Sequence, residues 1–261
     1  LPATDRALLE DAARAAGDEA MRFWRARLRS WEKPDGSGPV TEADLAVNAL
    51  LADRLRAARP GYGWLSEESA DDPGRAGAEA VFVVDPIDGT RAFIAGENTF
   101  AVSLAVVRGG QVTAAAVMLP ARGNLYSAEA GGPAMRDGTT IAASDAAAPE
   151  GARVLTTAGN LAPAHWPGGV PAMRRSFRPS LAYRLCLVAE GRHDAMLSFR
   201  PSWEWDIAAG ALIAEQAGAT VTDAAGSRLR FNTAERQTPG IMAAAPRLHG
   251  ALIDRLRRPA A

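Results

Sequence analysis

A layered sandwich of α-helices and β-sheets is the fold class that this 261-residue sequence predicts. Two observations carry it. Two helix patterns followed by a β-rich hairpin fill the first part of the chain, and after an Ala-rich link at 142–149 the pattern changes to strands alternating with helices.

Residues 4–29 place Leu8, Leu9, Ala12, Ala16, Phe23 and Trp24 at roughly helical spacing, which predicts an amphipathic helix burying one face. The stretch from Pro34 to Pro39, with Gly36 and Gly38, breaks it; Thr41 then opens a second helix that reaches Ala58 and ends at Pro60-Gly61. Trp64-Leu65-Ser66 predicts a short strand running into Glu67-Glu68, and 71–77 a polar loop. A Val-rich strand follows at 81–84, and the apolar runs 99–107 and 111–119, joined through Arg108-Gly109-Gly110, read as a hairpin. Leu125 to Ala128 adds another strand, giving an antiparallel sheet beside the two helices. The second part predicts strand 153–157, helix 181–190, strand 194–199, helix 207–217, strands 219–223 and 240–244, and helix 247–257. The expected division is an α+β half at 1–145 and an α/β half at 146–261, together forming one compact unit.

Composition narrows the function classes. With 48% hydrophobic and 23% charged residues the chain suits a large core. Its 29 basic and 30 acidic residues, net −1, argue against a nucleic-acid polymer or an anionic membrane as partner. Lys33 is the only lysine, so the positive charge is nearly all arginine. Cys186, the single cysteine, lies in an apolar run and reads as a small buried hydrophobe. His165, His193 and His249 are scattered, against a zinc cluster or a Ser-His-Asp triad. No leader or membrane-length apolar stretch is visible, which makes a cytoplasmic location the expectation; the start at Leu1 rather than methionine suggests that a few residues were trimmed.

The chemistry concentrates in Val81-Phe82-Val83-Val84-Asp85-Pro86-Ile87-Asp88-Gly89-Thr90, where two carboxylates stand three apart at the end of an apolar strand. Side chains leaving the C-terminal end of such a strand converge where α/β sheets bind ligands, and anionic oxygen is what Mg²⁺ and Mn²⁺ prefer. Gly89 and Thr90, at the start of a short helix, would offer free N–H groups to phosphate. Asp-Pro and Asp-Gly are also ordinary turn dipeptides, so the other ligands must come from elsewhere. Glu67 and Glu68 follow a neighbouring strand, Asp206 stands where an N-cap would open the helix at 207, and Thr41-x-x-Asp44 has the form of a capping box.

Taken together, Pro39-Val40-Thr41-Glu42-Ala43-Asp44, Glu67-Glu68-Ser69, Asp85-Pro86-Ile87-Asp88-Gly89-Thr90 and Trp205-Asp206-Ile207-Ala208-Ala209-Gly210 resemble, in this order, the motif set of the inositol monophosphatase superfamily. The resemblance spans Asp5 to Arg257 and implies a five-layer αβαβα sandwich and a Mg²⁺-dependent phosphomonoesterase acting on a small phosphorylated metabolite. It implies that Glu67, Asp85 and the Ile87 carbonyl hold one Mg²⁺, and that Asp85 bridges to a second held also by Asp88 and Asp206. A third, weaker ion would use Glu67 through water, with Mn²⁺ as a substitute metal. Thr90 and Asp44 would orient and activate the attacking water, and the Gly89 and Thr90 amides would hold phosphate. Attack would be in line, without a covalent phosphoenzyme. Homodimerisation is common in the family and is the expected assembly.

The substrate is less sharply drawn. Where the inositol branch has an acid seven positions before the Trp-Asp aspartate, this chain has Phe199. Phe199-Arg200-Pro201-Ser202-Trp203-Glu204-Trp205-Asp206 and Thr90-Arg91-Ala92-Phe93 look more like the 3'(2'),5'-bisphosphate nucleotidase branch, although histidinol-phosphate phosphatases share the latter feature. Arg91, Arg178, Arg184 and Arg200 are candidates for a second phosphate, with Ser180 and Glu204 as further substrate-side residues. The expected substrate is 3'-phosphoadenosine 5'-phosphate, with inositol 1-phosphate as the alternative and histidinol phosphate or a non-catalytic regulator behind it. The loop from Trp31 to Pro39 is expected to act as a lid.

Overall fold

The computed structural model describes residues 3–34, 36 and 38–257; residues 35 and 37, in the loop expected to act as a lid, and the ends of the chain lie outside the described residues. Helix α1, Asp5–Phe23, is capped by the Thr4 hydroxyl accepting from the Ala7 N–H, and its buried face is Leu9, Ala12, Ala13, Ala16 and Ala20. It stops at Phe23, short of the expected residue 29. Arg25 takes a left-handed φ of 61° that no helix continues, and Ser30–Glu32 instead pairs antiparallel with Pro39–Thr41. Helix α2, Glu42–Ala58, starts where Thr41 predicted it, and the capping box is real: the Thr41 N–H donates to Asp44 Oδ2 at 2.8 Å while the Thr41 hydroxyl accepts from Ala43 and Asp44.

Seven strands form the first sheet in the order Gly63–Ser66, Val81–Asp88, Ala101–Arg108, Gln111–Leu119, Asn124–Glu129, Met135–Arg136 and Thr139–Thr140. All neighbours are antiparallel except the first two strands, which run parallel and so bring Glu67 and Asp85 to the same edge. The period of two sorts its residues by face. Phe82, Val84, Leu104 and Val106 pack under α1 and α2. Val81, Val83, Ala105 and Val107 face the opposite way, toward α4 (Leu181–Ala189) and α5 (Glu204–Gln216). At the end of the strand 81–88 the chain turns into the short helix α3, Thr90–Ile94, whose Phe93 packs in the cluster under α1 and α2.

A second sheet covers the other side of α4 and α5, in the order Arg174–Ser176, Arg153–Leu155, Ala195–Ser198, Ile241–Ala244 and Thr220–Thr222. Alternation repeats here: Leu155, Met196 and Ala243 face the middle helices, whereas Val154, Leu197 and Met242 pack under α6, Pro246–Arg257. The layers are therefore α1 and α2, sheet, α4 and α5, sheet, α6, the five-layer αβαβα order expected. In the middle layer a Cβ placed on Gly210 would stand 2.6 Å from Leu185 Cβ, so the close approach of α5 to α4 requires glycine there.

Other elements also differ from the sequence expectation. The strand Arg174–Ser176 has no apolar signal, because it lies at the sheet edge with both arginines exposed. Helix α5 begins at Glu204 rather than 207 and its N-cap is Trp203, so Asp206 belongs to the first turn and is not the cap.

Candidate active site

The strand Val81–Asp88 carries an irregularity at the point where its chemistry begins. Asp85 pairs with Ser103 and Asp88 with Ala101, so one extra residue is accommodated between them. A regular strand sends residues three apart to opposite faces; the extra residue restores both carboxylates to one side. Asp85 and Asp88 line one cleft of about 740 Å³ together with Glu67, Ile87, Gly89, Thr90 and Asp206. Gly89, with φ of 99°, makes the turn into α3 that an L side chain resists.

Carboxylate oxygens of Glu67, Asp85 and Asp206 come within 4.8 Å of one another, close enough to share one cation. Asp85 Oδ1 also accepts from the Ile87 N–H at 2.9 Å, which fixes its rotamer. Burial, and then the charges of Glu67, Asp88, Asp206 and Asp44, push the Asp85 carboxyl well above the usual carboxylate range. Asp206 is raised in the same way, by burial and by Asp88 and Glu67. Asp88 is raised to about 6, with burial opposed by hydrogen bonds from Ser180 and Ala182. Packed this closely, the buried acids repel one another, with Lys33 in a direct ion pair to Glu67 alone of the four, and an all-oxygen set of this kind fits hard divalent ions such as Mg²⁺. The residues present therefore fit the expected metal.

Asp44, almost fully buried, divides its two oxygens between fold and cleft. Oδ2 closes the capping box, and Oδ1 accepts the Thr90 hydroxyl at 3.3 Å, which also lies 3.2 Å from the Ile87 carbonyl. Burial raises Asp44 to about 6 against the hydrogen bonds from Thr41 that lower it. The capping box and a hydrogen bond to Thr90 thus coexist on one carboxylate.

Two expected substrate contacts are corrected. Ser180 is fully buried; its hydroxyl caps α4, accepting from the Tyr183 N–H, and donates to Asp88 Oδ2 at 2.6 Å, beside a 2.7 Å bond from the Ala182 N–H. It grips a carboxylate of the cluster and does not line the cleft. Glu204 is also fully buried, accepting from the N–H groups of Asn232 and Thr233 and from the Thr233 hydroxyl. It ties the start of α5 to the 232–233 turn. Of the four candidate arginines, Arg91, Arg184 and Arg200 line the cleft, whereas the Arg178 side chain folds back to donate to the Phe177 carbonyl. Phe199 packs against His165 and Trp166 instead of the cleft.

Lys33 was passed over in the sequence, and it is the cation nearest the cluster. Its ammonium is 2.7 Å from Glu67 Oε1 and 2.7 Å from Glu68 Oε1. Burial works to lower its pKa, and the two carboxylates outweigh that and raise it. Its isolation as the one lysine among arginines, eight residues before the Thr41 cap, was the available signal. Thr157, Asn160, Phe177 and Trp203 also line the cleft without having been singled out for it.

A two-sheet sandwich that gathers carboxylates from two neighbouring strand ends and the first turn of α5 into one cleft, beside a hydrogen-bonded Thr90–Asp44 pair, is the kind of site in which a metal-dependent phosphoric monoester hydrolase works. Comparison with known proteins gives the family. The profile described as "Inositol monophosphatase family" matches residues 3–259, and the chain belongs to that family. A relative named inositol-1-monophosphatase from Rhizobium meliloti is 38% identical over 72% of this chain and 73% of its own length. One from Mycobacterium leprae named 3'-phosphoadenosine 5'-phosphate phosphatase is 34% identical over 90% of this chain and 87% of its own. Among solved structures, the extragenic suppressor protein suhB of Bartonella henselae superposes with a TM-score of 0.83 at 25% identity, covering 97% of this chain and 98% of that one.

Proposed function

We propose that this enzyme uses Mg²⁺ to remove the 3'-phosphate of 3'-phosphoadenosine 5'-phosphate, leaving AMP. The observation that carries the substrate is the set of three arginines, Arg91, Arg184 and Arg200, lining the same cleft as the carboxylates. Arg184, 4% exposed, has its Nε on the Arg178 carbonyl at 2.5 Å, and its two terminal nitrogens have no acceptor among the described residues. A guanidinium whose stem is buried and whose terminal nitrogens open on the cleft is well placed to meet an anion, and Arg91 and Arg200 line the same space. A monophosphate uses only the metal end; a bisphosphate uses both ends. The relative named for this phosphatase, aligned over most of the chain, supports the same substrate.

Mg²⁺ held by Glu67, Asp85, Asp88, Asp206 and the Ile87 carbonyl would neutralise phosphoryl oxygens and acidify water. The chain's own residues then divide the remaining work. Thr90 and Asp44 orient the attacking water: the hydroxyl shared between Asp44 Oδ1 and the Ile87 carbonyl marks its place, and Asp44, raised to about 6, is basic enough to take a proton near neutral pH. Gly89 and Thr90 turn their backbone toward the phosphate. Lys33 adds a positive charge to Glu67 from the loop above.

The test is phosphate release from 3'-phosphoadenosine 5'-phosphate, inositol 1-phosphate, histidinol phosphate and fructose 1,6-bisphosphate, each with and without Mg²⁺. The expected outcome is Mg²⁺-dependent release with the highest kcat/KM on the nucleotide, and loss of turnover in Asp85→Asn with the fold intact by circular dichroism. A clear preference for inositol 1-phosphate, the activity named for the 38% identical relative, would overturn the nucleotide reading. Near-normal turnover by Asp85→Asn would overturn the metal assignment.

A further inference from the structure

Among the described residues, the large apolar side chains most exposed to solvent are Trp31, Leu45, Ile94, Val170 and Phe177, and of these Phe177 alone lines the active cleft. The residue is 45% exposed, which leaves part of its ring open to the cleft. One face already has a partner: the Arg184 guanidinium lies over it, 4.4 Å from the ring centroid. That guanidinium is itself held by the Arg178 carbonyl, so the ring rests on a fixed backing.

The backbone around Phe177 is equally constrained. Ser176, just before it, pairs with Leu155 in the second sheet and has its hydroxyl 2.8 Å from His193 Nε2. Ser180, three residues after it, caps α4 and holds Asp88. Phe177 to Pro179 thus forms a short arch between two anchored points, one of them gripping a metal-site carboxylate. Three residues of chain span at most about 10 Å, so the ring is held within a nucleoside's reach of the reacting phosphate.

We infer that Phe177 is a specificity-determining residue of this cleft: its free face, backed by Arg184, is a stacking shelf for the nucleobase of the bisphosphorylated nucleotide. This rests on the nucleotide reading above and adds to it the part of the substrate that the arginines cannot read. The second phosphate selects a bisphosphate; the shelf selects a bisphosphate that carries a planar ring. Every base offers a π-face, so the shelf recognises the aromatic ring and tolerates different bases.

The experiment compares wild type, Phe177→Ala and Phe177→Tyr in saturating Mg²⁺ on two esters, 3'-phosphoadenosine 5'-phosphate and ribose 3,5-bisphosphate, which keeps both phosphates and lacks the base. Phe177→Ala is expected to raise KM for the nucleotide about tenfold, in line with the cost of removing one stacking partner, with the loss in KM rather than kcat. The fall in kcat/KM on the ribose ester should be several times smaller, and Phe177→Tyr, which keeps the π-face, should restore the nucleotide KM. Equal losses on the two esters, or no loss on either, would overturn the shelf. If the wild-type enzyme releases no phosphate from the nucleotide at all, the substrate reading fails and takes the shelf with it; if the wild type is active and Phe177→Ala matches it, only the shelf fails.

Discussion

Ser180 shows how one side chain can serve the helix and the metal site together. Its hydroxyl accepts from the Tyr183 N–H as the cap of α4 and gives its own proton to Asp88. Ser180→Ala removes both, costing about 1 kcal/mol for the lost cap and lowering Tm by roughly 2–4 °C. It also frees Asp88 Oδ2 from a 2.6 Å donor while leaving the Ala182 N–H in place, so the carboxylate is less firmly aimed. The expected result is a weaker Mg²⁺ affinity, read by calorimetric titration of the purified variant beside its melting curve. A lower Tm with wild-type Mg²⁺ affinity would reduce Ser180 to a cap. The acids were legible in the sequence because their motifs occur together and in order, although each alone reads as a turn, a loop or a cap, and Asp85, Asp88, Glu67 and Asp206 do meet in one cleft. Ser180 and Lys33 were misread or missed because their partners are distant in sequence: the Ser180–Asp88 bond joins residues 92 apart and the Lys33–Glu67 bond residues 34 apart. A motif states which residues are present, and only the fold states which of them face each other.

At the scale of elements, local signals were sufficient wherever propensity and burial agreed. The Thr41 cap and Pro60-Gly61 stop bounded α2, and the glycine pair bounded the 101–119 hairpin. They failed where a terminus answered to tertiary contacts. Trp24 continues the helical spacing of α1 yet packs on Phe100 from outside the helix, and α5 starts early because buried Glu204 binds the 232–233 turn. The second sheet adds an ionic clasp: Asp194, just ahead of the strand Ala195–Ser198, accepts from the Arg153 backbone and from Nε and Nη2 of its guanidinium. Burial pushes Asp194 up, but the bonds from Arg153 prevail and lower it to about 2. Its folded pKa lies below the unfolded value, so the unfolded chain takes up the proton first as pH falls. The clasp's stability is complete above pH 3.8 and drains away as pH falls toward 2. With Arg153 half exposed, the contribution is of order 1–2 kcal/mol. Urea unfolding of wild type and Asp194→Asn at pH 7 and pH 3 checks this: the gap between them should narrow at the lower pH, and a constant gap would contradict it.

For the whole molecule, the middle layer is where the two sheets communicate. Helices α4 and α5 share a core cluster with both sheets, and each brings one part of the acidic cluster: Ser180 at the head of α4 fixes Asp88, and the first turn of α5 carries Asp206. One turn beyond Asp206 lies Gly210, against Leu185. Gly210→Ala forces a methyl group into a 2.6 Å gap, a local overpacking worth about 1–3 kcal/mol that the helices relieve by moving apart. The expected outcome is a lower Tm together with a loss of preference for Mg²⁺ over Ca²⁺, measured as the ratio of their dissociation constants; a lower Tm with the ratio intact would show that the helices move without moving Asp206. The reason lies in ionic radius. Mg²⁺ holds its oxygens at roughly 2.1 Å and Ca²⁺ at roughly 2.4 Å, a difference no larger than the adjustment one methyl group imposes. If the cluster holds the ion proposed above, the spacing of two helices in the interior would act as a caliper on it, with the hydrogen atom that serves as the side chain of Gly210 setting its jaws.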